Sequence, residues 1–431
     1  MTGVARDALG LSVTTSSPEA LAAYDTAVRG LLSWDGATTA MFEKAVAADP
    51  GLALAHAGAA VCYFLEERFA DAGAAADRAR AVTALTERER GHVDALVLFV
   101  RGAAVDAERR MRAHIAAYPG DLIIVQRLYY LYFWQGRFPE MLELTEALVT
   151  ADDGSGFLRG LHAFALGEGG RFPEAVRTAE GALADNARDA WAVHALAHAL
   201  YDMGAAAEGV TRVPPAIHPC RHLGWFRNHL LWHLALMHWS GGNYDRAAAL
   251  LRAVFERAPS AVPGELHDSI SLLWRFELAG RPPGDRWRPF TAIASRRLER
   301  HGLLFHAVHM AMALAAGGEW GIAERHLDLM RAKAAKDASG LTGDVAIPLI
   351  EGMHAFAGGD YTRAIARIEP LTPRIIQLGG SRAQRDVFHD TLLEACFRAG
   401  DGDRAAALLT ARVARRPDHQ WTTRAAAPSR V

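Results

Sequence analysis

Five residues, Gly136-Arg137-Phe138-Pro139-Glu140, recur unchanged as Gly170-Arg171-Phe172-Pro173-Glu174, an offset of 34 residues. That period belongs to repeats built from two antiparallel helices. One helix pair cannot bury its own apolar face, so stacked pairs must share a continuous core. The echo therefore predicts a linear array, in which 431 residues need not divide into several globular domains. The chain is 51% hydrophobic, enough for continuous burial.

The register follows from the turns. Turn glycines fall at Gly36, Gly102, Gly136, Gly170, Gly204, Gly242, Gly280, Gly318, Gly359 and Gly400, with a degenerate turn at Glu67-Arg68. From Gly102 the spacings are 34, 34, 34, 38, 38, 38, 41 and 41. Second helices such as 39–50, 243–259 and 401–417 end on a proline that stops the chain before the next unit. Ser16-Ser17-Pro18-Glu19 reads as a capping box opening the first helix. The expected fold is an all-α, tetratricopeptide-type solenoid of about eleven helix pairs, wound as a right-handed superhelix over residues 15–418, with tails at 1–14 and 419–431.

Charge and cysteine usage narrow the function. Lys plus Arg is 47 and Asp plus Glu is 49, so the formal net charge is −2. No global field draws the chain to nucleic acid or to an anionic membrane. Six arginines in 281–300 read as a solvated helix face. Cys62, Cys220 and Cys396 are far apart and form no CxxC, which fits a reducing compartment. Without a signal-peptide pattern or a membrane-length apolar run, a cytoplasmic protein is expected. A phosphate-binding glycine loop, a dinucleotide fingerprint and a serine-nucleophile elbow are all absent.

The stretches AVHALAHALYDMG (192–204) and HLLWHLALMHWSGGNYDRA (229–247), taken with the repeats, resemble the tetratricopeptide repeat protein 38 family over nearly the whole chain. The resemblance implies a cytosolic helical-repeat protein and supplies no mechanism.

Seven histidines lie between His194 and His238, and two pairs, His194 with His198 and His229 with His233, have i, i+4 spacing. Each pair shares one helix face. Counted from the turn glycines, they fall off the packing stripe of the first helices, toward the concave side of the superhelix. His267 and His309 extend the band over four repeats. Three readings stand beside one another. The histidines are polar groove or core residues bonded to neighbours. Or they line a groove for a peptide, protein or small polar ligand, with Trp191, Trp232 and Trp274 as apolar walls. Or they form a divalent-metal site (zinc or iron) or an acid–base centre of an enzyme on a small polar substrate, with Asp268 orienting an imidazole or joining the shell. HALAH and HLLWH lack the glutamate of HExxH, so peptide hydrolysis is not indicated. Pro214, Pro215 and Pro219 predict a loop in place of a regular second helix. Cys220, between His218 and His222, is either a buried thiol or a nucleophile or ligand.

Overall fold

The computed structural model describes residues 4–149, 156–299 and 302–426. Among them are eleven consecutive helix pairs: α1 (Pro18–Ser33) with α2 (Thr38–Ala48), α3 (Ala53–Leu65) with α4 (Phe69–Ala81), α5 (Glu87–Val100) with α6 (Ala104–Ala117), α7 (Leu122–Trp134) with α8 (Phe138–Val149), α9 (Phe157–Glu168) with α10 (Phe172–Asp185), α11 (Ala190–Asp202) with α12 (Ala206–Ile217), α13 (Trp225–Ser240) with α14 (Tyr244–Leu251), α15 (Pro263–Leu278) with α16 (Arg288–Ser295), α17 (Leu304–Ala316) with α18 (Trp320–Ala334), α19 (Ile347–Ala357) with α20 (Tyr361–Ile368), and α21 (Arg382–Ala399) with α22 (Gly402–Arg415). A final helix, α23 (His419–Ala426), follows. The fold is an all-α solenoid.

The turns obey the register. Gly102, Gly136, Gly170, Gly204, Gly242, Gly280, Gly318, Gly359 and Gly400 all have positive φ, and Glu67 takes that conformation in the degenerate turn. At the first turn the left-handed residue is Trp34, not Gly36. Gly36 is small for another reason: a Cβ there would lie 3.0 Å from the Gly224 Cα, where the first turn meets the entry to α13. The two GRFPE segments occupy equivalent places, each spanning a turn and the start of a second helix. Their phenylalanines differ, since Phe138 is buried and Phe172 half-buried. Ser17 caps α1 alone, without the expected box; true capping boxes open α5 (Thr86 with Glu89) and α21 (Ser381 with Gln384).

Three local expectations give way. Residues 4–14 form an antiparallel hairpin, β1 (Val4–Arg6) with β2 (Ser12–Thr14), held to α5 by Thr14 donating to Glu89 at 2.6 Å. Residues 419–426 form α23 instead of a tail, and residues 1–3 and 427–431 lie outside the described residues. The proline-rich segment continues α12 to Ile217 with Pro214 and Pro215 inside it. Proline fixes φ near the helical value, so its cost is a missing N–H and a local clash, which the last turns of a helix bear best.

The larger finding is closure. Several first helices are buried on every side: each residue of α11 is buried, as are Ala53 to Tyr63 of α3 and all of α15 except Glu277. Helix α21 docks back across α11 and α15. Its Ala383 carbonyl accepts from Arg275 at 2.7 Å, its Thr391 hydroxyl accepts from Trp274 Nε1 at 2.9 Å, and its Arg382 N–H donates to Glu168 at 3.1 Å. The turn of the fourth pair meets the segment after α20, where a Cβ on Gly136 would stand 2.1 Å from the Ile376 carbonyl oxygen. Trp34 stacks on Trp191 and Phe226, and Glu67 pairs with Arg297. The concave side is thus filled by the chain itself.

Closure changes how a core defect spreads. Phe138, 5% exposed, packs on Phe133 and under the Arg385 guanidinium of α21. Phe138→Ala should cost about 3–5 kcal/mol. Hydrogen exchange should quicken in α7 to α9 and, across the closure, in α21, while α3 and α4 keep their protection. An effect confined to α7–α9 is the behaviour of an open linear array and would count against the closed form.

Candidate functional site

Asp189 caps α11, its carboxylate accepting from the N–H groups of Trp191 and Ala192 at 2.9 and 3.0 Å. From that start, His194 and His198 stand one turn apart on the inner face of α11, and His229 and His233 do the same on the neighbouring α13. The four imidazoles meet: one nitrogen from each lies within 4.8 Å of the others. His194 Nε2 is 3.0 Å from His229 Nε2, and His233 Nε2 is 3.3 Å from the same atom. The His198 ring centroid is 4.2 Å from that of His233 and 4.4 Å from that of His194. All four are at most 5% exposed, so they face an interior and not an open groove.

Asp268 of α15 organises one side. Its Oδ2 accepts from His229 Nδ1 at 2.8 Å, and its Oδ1 is 3.1 Å from His267 Nε2, which also lies 2.8 Å from the Gln384 amide nitrogen. Burial raises the Asp268 carboxyl, but the imidazoles of His229 and His267 outweigh it and hold the group below the usual carboxylate range. A proton on His229 Nδ1 leaves its Nε2 lone pair aimed at the other three rings. Burial, reinforced by the neighbouring imidazoles, pushes His194 and His233 well below the ordinary histidine value, so both are neutral. Among the described residues, His194 Nδ1, both nitrogens of His198 and His233 Nδ1 have no hydrogen-bond partner. Unmet polar atoms at such depth are costly.

The walls are aromatic. Trp191 lies 4.6 Å from His194, Trp232 stacks on His229 at 5.5 Å, and Phe164 stacks on His194 at 5.0 Å. Trp274 stands elsewhere, bonded to Thr391 and packed on Phe356. His267 joins the cluster through Asp268. His309 lies beyond it, 5.5 Å from the His267 ring, with Nδ1 on the Phe305 carbonyl and its own pKa lowered to about 3 by burial. Cys220 is buried 3.8 Å from the Ala216 carbonyl, and burial lifts its thiol to about 11, so it is no thiolate at neutral pH.

Sequence reasoning missed the opposite flank. His198, Asp202 and Glu168 each offer an atom within 4.8 Å of the others. Asp202 follows His198 by four residues, a readable signal; Glu168, at the end of α9, has none. A second buried triad, His92, His114 and Asp121, is an ion-pair knot, because Asp121 Oδ2 already accepts from Arg88, His92 and His114 at 2.8, 2.9 and 3.0 Å.

No protein-family model matches the chain. Among solved structures it is similar to a Naa15/Naa10 complex bound to HypK-THB (15% identity, 94% of this chain and 65% of that chain, TM-score 0.25). It is also similar to a human IFIT1 dimer with m7Gppp-AAAA (13% identity, 84% and 90%, TM-score 0.42) and to the tetratricopeptide domain of P58(IPK) (11% identity, 89% and 89%, TM-score 0.24). At these values the fold class rests on the chain's own helices, and nothing about function carries over. No helix of the described residues is long and apolar enough to cross a membrane.

The neutral histidines set a pH dependence. His194, His233, His306 and His309 all have lowered values in the folded protein, while an unfolded chain protonates them near pH 6.5. Protons then bind the unfolded state preferentially, so stability falls as pH drops below about 6.5, by at most about 1.4 kcal/mol per pH unit for each group. Asp189, raised to about 6 by burial, and Asp7, also raised by burial, have the opposite sign but are two groups against four. The melting temperature of metal-free protein should fall between about pH 7.5 and about pH 5.5. A flat profile contradicts neutral burial.

Proposed function

We propose that the chain is a metal-binding helical-repeat protein, holding one divalent transition ion, zinc or iron, on His194, His198, His229 and His233. The observation that carries this reading is the convergence of four buried imidazoles, one nitrogen of each within 4.8 Å of the others. Zinc–imidazole bonds of about 2.0–2.1 Å arranged as a tetrahedron have ligand–ligand edges of about 3.3–3.4 Å. The Nε2 separations of 3.0 and 3.3 Å are close to that edge before any ion is accommodated. Imidazole is a favoured ligand for both metals. Asp268 on His229 Nδ1 is the carboxylate partner that fixes a ligating histidine's tautomer.

Four protein ligands complete a tetrahedron, which favours a structural ion joining α11 to α13 over a zinc that keeps a position open for substrate. The same two helices carry the resemblance to the tetratricopeptide repeat protein 38 family, and membership of that family is part of this proposal. The competing reading is a core of imidazoles bonded to one another, supported by the short His194–His229 contact.

Elemental analysis of protein purified without a histidine tag separates the two. We expect about one equivalent of metal per chain and a lower melting temperature on adding chelator, because an ion bound only by the folded state stabilises it. Asp268→Asn should weaken metal affinity about 10–100-fold while the ligands stay in place. Absence of metal, with melting indifferent to both chelator and added zinc or iron, leaves the hydrogen-bonded core.

A further inference from the structure

A second feature lies one residue away from the histidine cluster, on the far side of Glu168. A cavity of about 280 Å³ opens between the start of α8, the segment after α20, and the ends of α21 and α22. Phe138, Pro373 and Ile376 give it apolar walls. Arg382 and Arg385, from the first turn of α21, and Arg415, from the last turn of α22, bring three cations to it.

Two carboxylates face these cations, and neither is free to neutralise them fully. Glu168 pairs with Arg385 at 3.4 Å, and both its oxygens also accept the Arg382 backbone N–H. Asp386 pairs with Arg415 but is shared with Arg416 at 3.0 Å. The Arg382 guanidinium makes no ion pair among the described residues; one terminal nitrogen donates to the Glu168 carbonyl, and its buried Nε has no hydrogen-bond partner. The lining therefore carries one cation more than it can pair internally. A half-buried guanidinium with donors to spare, beside apolar side chains, recognises a carboxylate or a phosphoryl oxygen. The single uncompensated charge and the apolar walls favour a monoanion with a hydrophobic body. The volume, just below the usual range for ligand pockets, favours a small one.

We propose that this cavity binds a small organic carboxylate, anchored on Arg382 with its apolar body against Phe138 and Ile376. The site is complete without any ion in the histidine cluster, so it goes beyond the metal-binding reading and does not depend on it. Glu168 is the wall common to both: it lines the cavity and also places a carboxylate oxygen within 4.8 Å of a His198 nitrogen.

The test uses benzoate, its neutral isostere benzamide and inorganic phosphate, titrated calorimetrically into the full-length protein with and without metal. Benzoate should bind and raise the melting temperature in both forms, while benzamide should not. Arg382→Gln should weaken benzoate binding at least about tenfold, the loss of one charge-assisted contact, and Arg382→Lys should recover part of it. Melting in the absence of benzoate verifies that Arg382→Gln folds. Should it not, Thr372→Trp at the exposed rim fills the mouth, leaves every charge in place and should abolish binding. Benzoate binding no tighter than benzamide, binding unchanged in a folded Arg382→Gln or in Thr372→Trp, or phosphate binding with benzoate silent would each overturn the proposal.

Discussion

Everything in this solenoid depends on one helix being accepted into its axis. A tetratricopeptide-type array that leaves its concave side open can solvate the polar groups of its first helices. Here α21 occupies that side, and water can no longer meet them. The unpaired alternative would cost several kcal/mol per site, so the inner polar residues must find partners on α21 or on one another. They do: Arg275 donates to the Ala383 carbonyl, Trp274 to Thr391, and the Gln384 amide nitrogen lies beside His267 Nε2. Beyond it, Arg412 and Arg416 converge on Asp390 and Asp418, and Ser240 of α13 is bonded to Asp418. Arg412, Arg416 and Asp418 each have more than one partner, the condition under which such ions are tolerated. In the histidine cluster the matching is incomplete: His194 Nδ1, His233 Nδ1 and both nitrogens of His198 are buried without hydrogen-bond partners.

The repeat architecture was legible because its signals are local. A turn needing positive φ takes glycine, and that requirement wrote itself at regular intervals from Gly102 to Gly400. The meeting of His194, His198, His229 and His233 was legible for a related reason: i, i+4 spacing fixes the face, and neighbouring first helices are parallel in register. Asp268 could be suspected from its place beside His267. What could not be read was anything resting on contacts between distant repeats. Gly36 is small because Gly224 passes it, and Gly136 because the Ile376 carbonyl does, yet neither pattern differs from an ordinary turn glycine. Whether the histidine band faced solvent or an interior depended on α21, whose own sequence reads as one more first helix. Glu168 meets Arg382 and Arg385 only through that docking.

Closure also alters the energetics expected of a repeat protein. In an open array each unit feels its neighbours, and stability is close to a sum of local terms. Here Trp34 reaches Trp191, Glu67 reaches Arg297 and Gly136 reaches Ile376, joining units several repeats apart. Such contacts span long stretches of chain, so they form late and exact a loop-closure cost. In return they tie the array into one cooperative body, and truncation from either end removes partners of the middle.

Helix α21 has a further consequence through its position in the chain. It is the twenty-first of the twenty-three α-helices among the described residues, and synthesis proceeds from the other end. Until residues 382–399 leave the ribosome, Gln384 and Phe388 are missing from beside His267 and His309, and Ala383 and Thr391 from beside Arg275 and Trp274. Once α21 docks, those partners are in place. The inner faces of α11 and α15 are therefore completed only as the array ends, and closure is an event in the life of the molecule as well as a property of its finished form.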